Sequence, residues 1–404
     1  MSLQNLRNTV AAIRNDWKGV RDAFGRTRVS DPQTLFDFQA EYDNGPLFWN
    51  EVTAGSATIA HNADEAGVDM TVTTSDGDVA IRQTKQYIRY QPGKSQLCLF
   101  TFVLAPGETN LIQRVGYFDQ DNGIFFELNG TNQNIVLRTN TSGSPVETTV
   151  TGGQWNGEDV GLDPTKANIF WIDLEWLGVG QVRTGFVIDG EFRVAHTFKN
   201  ANNTDKVYMR TANLPARFEI RNDGATGGAT LQAICTSIIS EGGFEEDRGI
   251  PFSVANELVY KAVGTTPIPV ISIQPKTTFN SVTNRSQIIV RGVDGLSVGD
   301  NVYVQVIYDG TLTGANWQSV DSNSVVNVDT SATSITGGQK IQCFYLEGGT
   351  SGQTRTGGSG TQGLLSKLPL ALTVSASAES NLSVVVGASA SANVAMSIFW
   401  QELK

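Results

Sequence analysis

Asp173 and Glu175, set two residues apart in the run NIFWIDLEWLGVGQVRTGFVIDGEFRVAHTF, form the acidic pair best spaced for chemistry. In an extended chain alternate side chains share a face, and two carboxylates facing one sugar are what glycoside hydrolysis uses. On a solvent-facing sheet surface the same spacing serves only solubility, which is the plainer reading. Asp119-Gln120-Asp121-Asn122-Gly123 carries alternating oxygen ligands, and Asp119 and Asp121 could hold a calcium ion. The run lacks the sixth-position glycine and the distal glutamate of an EF-hand loop, and Asp-Asn-Gly between strands is first of all a hairpin turn. No other cofactor suggests itself, and no catalytic residue is assigned. His61 and His196 are the two histidines, with no serine elbow or nucleophilic cysteine set around them. That shortage argues against a histidine-based triad. Cys98, Cys235 and Cys343 stand far apart, without a CxxC pair, so neither a disulfide framework nor a zinc spacing is present. Cys98 and Cys235 fall in apolar runs and are expected to be small buried residues. Trp155, Tyr117 and Trp317 could stack on sugar rings wherever they are exposed.

The element that must position Asp173 and Glu175 is a three-strand meander. Phe170, Ile172, Leu174 and Trp176 alternate with Ile169, Trp171, Asp173 and Glu175, an apolar row opposite a mixed one, as in a strand over a sandwich core. Gly178 and Gly180 permit a reversal. Val182 to Ile188 runs back, and Asp189-Gly190 suits a two-residue hairpin turn, in which both central positions need positive φ. Phe192, Val194, His196 and Phe198 make the third strand.

The rest of the chain supports an all-β reading: two β-sandwich or jelly-roll domains preceded by a short N-terminal helix and an extended arm. Leu3, Leu6, Val10, Ile13, Trp17, Val20 and Phe24 recur by threes and fours, a heptad seam. Two readings stand: an amphipathic helix packed on its own domain, or a homo-oligomeric coiled coil, with a trimer favoured by β-branched residues at both seam positions. Residues 1–50 are then helix and attachment arm, 51–243 the first sandwich, 244–260 a charged, glycine-bearing linker, and 261–404 the second. Strands are expected at Val79 to Tyr90, Ser95 to Leu104, Ile112 to Asp119, Val207 to Met209 and Thr230 to Ser240, among others. The second unit adds Val270 to Ile273, Leu370 to Val374, Val394 to Gln401 and several more. Val150 to Lys166 and Gly348 to Gly363 read as loops.

The chain has 404 residues, 40% of them hydrophobic, enough for more than one core, and 42 glycines that suit many tight turns. A formal net charge of −11 argues against nucleic-acid binding, since phosphate contacts supply most of that affinity. No apolar run approaches the ~20 residues of a membrane span, so membrane insertion is not expected. A soluble protein of a reducing compartment is expected.

The meander resembles the central hairpins of concanavalin A-like (laminin-G-like) sandwiches. More specifically, DAFGRTRVSDPQTLFDFQAEYDNGPLFW, RYQPGKSQL, RVGYFDQDNGIFFE, DPTKANIFWIDLEWLGVGQVRTGFVIDG and NLPARFEIRND resemble structural proteins of tailed bacteriophages, over most of residues 22–243. ISIQPKTTFNSVTNRSQIIV and LPLALTVSA are similar to the C-terminal part of such proteins. The resemblance implies a non-enzymatic virion component, a fibre, tail or capsid decoration protein, assembled in the host bacterial cytoplasm. It would be mounted through its N-terminal arm on capsid, portal, neck or tail proteins. An alternative is a carbohydrate-binding module for a host surface glycan, with a glycan depolymerase on paired carboxylates as a third.

Overall fold

A computed structural model describes residues 31–225, 227–245, 248–257, 259–349, 368 and 370–404. The helix expected over Leu3 to Phe24, and most of the loop expected over Gly348 to Gly363, lie outside them. Among the described residues the fold is almost entirely β. Two compact units emerge: one holds the chain up to Thr84 with Ile88–Glu245, the other Lys85–Tyr87 with Glu246–Lys404.

The first unit contains β1 (Gln33–Gln39), β2 (Trp49–Ala54), β3 (Thr58–Asn62), β4 (Gly67–Val72) and β5 (Val79–Thr84). Then follow β6 (Gln96–Val103), β7 (Leu111–Phe118), β8 (Gly123–Asn129), β9 (Asn132–Thr139) and β10 (Val146–Thr151). The set closes with β11 (Asn168–Leu174), β12 (Val182–Ile188), β13 (Glu191–Phe198), β14 (Ala216–Asn222) and β15 (Ala229–Ser240). One sheet runs β13-β12-β11-β6-β15-β4-β3, with β1 also on β15; the other runs β10-β9-β8-β7-β14-β5-β2. All pairings in both are antiparallel.

Between the sheets lies an aromatic core. Phe100, Phe126, Phe170, Phe186 and Phe218 are all at most 1% exposed. Rings from the two sheets meet edge to face: Phe126 and Phe186 at 5.2 Å, Phe100 and Phe218 at 6.1 Å. Each buried phenylalanine contributes on the order of 1.5–3 kcal/mol of transfer free energy, so this core holds the sandwich closed. The meander forms as its pattern predicts. Phe170, Ile172 and Leu174 point into the core, and Ile188 pairs with Glu191 across Asp189 and Gly190, whose φ values are 53° and 79°. Such φ values are what a tight primed turn requires.

Several expectations are corrected. The arm expected before residue 50 is woven into the sandwich: β1 joins one sheet and β2 the other. Its mixed pattern arises because Phe36 and Trp49 face the core while Thr34, Val52 and Thr53 do not. The strand expected to reach Tyr90 stops at Thr84. Val207 to Met209 is a loop in which Tyr208 and Met209 are buried, at 6% and 0% exposure, while Val207 is exposed. Short apolar runs read as strands whether or not a ladder is available. Leu370 to Val374 likewise alternates in burial but forms no strand, because its backbone turns, with Thr373 N–H donating to Ser377 O.

In the second unit a six-stranded sheet is built around Ile268–Pro275, Leu382–Ala388 and Val302–Tyr308, and a four-stranded sheet around Ala392–Leu403. Residues expected to be linker supply the strand Ile250–Ala255, which pairs with that last strand from Glu402 to Ser397. Its exposed alternate positions explain why it read as a boundary.

Candidate functional site

The outer face of the β11–β13 meander gathers the side chains with the most chemistry to offer. Trp171 sits opposite Leu99 of β6 on one side and Gly185 of β12 on the other. A side chain at Gly185 would collide with the Arg193 carbonyl and approach the Trp171 ring edge to 2.9 Å, so glycine leaves the room the indole needs. Phe192, 50% exposed, meets Trp171 with ring centroids 5.6 Å apart. Trp171 itself is 3% exposed, and its indole N–H has no acceptor among the described residues. An unpaired buried donor costs about 1–3 kcal/mol, and because the nitrogen itself is closed to solvent, a ligand acceptor reaches it only if the side chains over it move.

Asp173 lies farther along the same face and Glu175 just past the end of β11, each 1% exposed. The solvent-facing reading of this pair is therefore corrected. Asp173 Oδ1 accepts from Ser95 Oγ at 2.8 Å, and Oδ2 accepts from Arg183 Nε at 3.1 Å and from Arg183 Nη2. Arg183 is directly across from Asp173 in the β11–β12 register, so strand pairing sets the ion pair. The pair is desolvated and geometrically fixed.

The opposite sheet shows a different outer face. Phe118, Phe125 and Val136 form a small cluster there, fully buried. Arg138 lies over Phe125 at 4.9 Å and Arg217 over Phe118 at 5.3 Å, roofing the cluster with cations. Arg114 bridges Glu127 at 2.8 Å and Glu219 at 3.0 Å; Arg217 reaches Glu219 at 2.5 Å, and Arg138 reaches Glu147 at 2.7 Å. Burial pushes the Glu219 carboxyl up, but the Arg217 and Arg114 guanidiniums outweigh it and hold the pKa at about 2. Sequence reasoning missed this network, although ARFEIRN alternates Arg217, Glu219 and Arg221 on one strand face.

The remaining candidates are placed elsewhere. Asp119 Oδ1 accepts the backbone N–H groups of Asp121 and Asn122, both at 2.8 Å, and Asp121 Oδ1 accepts from Asn140 Nδ2 at 2.9 Å. Both carboxylates thus tie a hairpin turn. Among the described residues no group of three His, Cys, Asp or Glu side chains gathers that could hold a metal. His61 Nε2 lies 2.9 Å from Ala40 O. His196 is 7% exposed, packs edge-on against Phe198, and accepts from Asn156 N–H; burial pulls its pKa down.

Tyr117 is not available to a sugar. It is fully buried, and its hydroxyl group is shared among Gln96 and the backbone of Ile88, Ala212 and Leu214. Trp155 is half-buried, donates to Val150 O at 3.0 Å and stacks on Phe186, while Trp317 is half-buried in the second unit. Cys98 is buried, Cys235 half-buried and Cys343 exposed, all as free thiols. Phe192, the exposed aromatic that matters most here, was not singled out. The hairpin position after Asp189-Gly190 was the available signal, since the tip of a meander reaches past the core.

No protein-family model matches the chain, and no curated protein matches it. Among solved structures, a protein of unknown function from Shewanella oneidensis is 7% identical, covering 61% of this chain and 98% of its own, with a TM-score of 0.37. A β-glucanase of Bacillus licheniformis is 13% identical over 50% of this chain and 96% of its own, with a TM-score of 0.33. A glycoside hydrolase family 16 endo-glucanase of Bacteroides ovatus is 10% identical over 50% of this chain and 99% of its own, with a TM-score of 0.35. Two of these three are named as glucanases and none is named as a virion protein. On that finding the expectation of a non-enzymatic virion component is corrected. Likeness at this level carries no reaction, substrate or source organism to this chain.

Proposed function

We propose that the first sandwich recognises a glycan on the outer face of the β11–β13 meander. The observation that carries this is the Trp171–Phe192 pair: a half-exposed ring beside a buried indole whose N–H has no acceptor. A sugar ring offers C–H groups for the Phe192 face at once, and a hydroxyl oxygen for the indole N–H once the side chains covering it move. The acidic character of the chain and its scarcity of histidine do not oppose this, because neutral sugars are recognised by stacking and hydrogen bonds rather than by charge.

The test is binding of the full-length chain to a panel of neutral and acidic polysaccharides, β-glucans included, by affinity electrophoresis or calorimetry. Phe192→Ala is expected to weaken binding to the recognised glycan roughly tenfold or more, about 1.4 kcal/mol. A panel with no binder, or a variant that binds as well as the parent, sinks the proposal.

A hydrolytic reading of the same region rests on the burial of Asp173 and Glu175, two residues apart where β11 ends at Leu174. Release of reducing ends that vanishes in Glu175→Gln would support it; intact polymer after long incubation would count against it.

A further inference from the structure

Among the described residues, β10 is an open sheet edge of an unusual kind. All six of its residues pair with β9 without a bulge, from Val146↔Thr139 to Thr151↔Asn134. Five of the six are exposed, including Val146 at 52%. The sequence VETTVT contains no proline, lysine or glycine. Natural edges are normally blunted by such residues, by bulges or by covering segments, because a bare edge invites another strand. The other sheet shows the covering device in use. Along β13, Gly157 N–H donates to Ala195 O at 2.9 Å and Glu158 N–H to Val194 O at 2.7 Å, while Asn156 bonds Thr197 in both directions. The far edge of β10's own sheet, β2, starts with a buried Trp49.

We propose that β10 pairs with β10 of a second copy of this chain, antiparallel and about a two-fold axis, so that the sheet continues from one copy into the other. An edge joined to its own two-fold mate needs only to be self-complementary. β10 meets that condition when the axis passes at Thr148. Val146 of each copy then faces Val150 of the other, Glu147 faces Thr149, and Thr148 faces itself. No like charges are opposed. The one charge on the strand, Glu147, is already held by Arg138 at 2.7 Å, so the edge is electrically quiet. Val146 gains an apolar partner in place of water, and cross-strand Val and Thr pairs of this sort favour association. The seam ends where the Trp155 indole N–H takes the Val150 carbonyl. This association uses none of residues 3–24 and stands apart from the glycan face.

The measurement is hydrogen exchange of the full-length chain, read by mass spectrometry on peptides that span 146–151, at low and high protein concentration. The parent is expected to exchange at least about tenfold more slowly in β10 at high concentration, as mass action requires. Thr148→Arg sets two guanidiniums across the axis and should remove that protection, while peptides from β6 stay protected and report an intact fold. Thr148→Val should keep it. Concentration-independent exchange in the parent overturns the proposal, and so does full protection of β10 in Thr148→Arg.

Discussion

The two outer faces of the first sandwich start from the same ingredients, aromatic rings under arginine and carboxylate, and finish differently. Over Phe118 and Phe125 the charges close on one another: Arg114, Arg138 and Arg217 each hold a glutamate, and Asn134 Nδ2 reaches Glu127 at 3.0 Å. Over the meander one ion pair, Arg183 with Asp173, is likewise closed, but beside it the Trp171 N–H has no acceptor among the described residues and the Phe192 ring is half-exposed. A network whose charges are paired within the fold, although Asn134 Oδ1 finds no partner among the described residues, fixes the sheet and has no charge left for a ligand. An unsatisfied donor next to an exposed ring is a place where a ligand gains free energy that the fold has not already taken. Charge content therefore says less about function than whether the charges are already spoken for.

The sharpest way to break that contrast is to open the closed face. Glu219→Gln leaves Arg114 and Arg217 buried without their shared carboxylate, and losing one partner of a buried network costs about 3–5 kcal/mol. Urea unfolding should show that loss, with glycan binding by the folded protein unchanged. A pH series tests the same residue. Its folded pKa of about 2 lies below the ordinary 4.5, so its stabilisation is fully present above about 4.5 and is lost as the pH falls through about 2. The parent should lose stability across that window, and Glu219→Gln should lose less. If Glu219→Gln unfolds with parental stability, the closed face is not what holds the sheet.

The next effect is smaller and falls on the other side of the comparison. Phe192→Ala should leave the unfolding free energy within about 1 kcal/mol, because the ring is half-exposed and surface changes are seldom costly. Its effect should appear in binding alone. A large stability loss with unchanged binding would move Phe192 to the structural side and erase the distinction between the faces.

How much of this was open to inspection in the residues follows from distance along the chain. The meander was legible because its evidence is local: Phe170, Ile172 and Leu174 alternate, and Asp189-Gly190 marks the turn. That Asp173 points away from the Phe170 and Ile172 row was legible for the same reason. That it and Glu175 are buried was not, since periodicity tells which residues share a face and not what covers it. The Arg114–Glu219 bridge joins residues 105 apart, and no pattern within a strand reveals a partner at that separation. The strand in the expected linker, Ile250–Ala255, hid similarly, because its mate is Ala392–Leu403 at the far end of the unit.

The finest discrimination comes from the Trp171 N–H alone. Trp171→Phe keeps an aromatic ring at the position and removes the donor. Deleting an unsatisfied buried N–H relieves a desolvation cost, while the smaller ring leaves some space unfilled, so the two effects oppose each other and the stability change should be within about 1 kcal/mol. Binding has no such offset. If a glycan oxygen accepts from the indole, its loss should weaken binding about three- to tenfold, the worth of one neutral hydrogen bond, with the Phe192 contact intact. Calorimetry on parent, Trp171→Phe, Phe192→Ala and the double variant separates the two contributions, since residues in ring contact should couple rather than add. Unchanged affinity in Trp171→Phe would make the indole N–H a tolerated imperfection of the fold, leaving recognition to Phe192 alone.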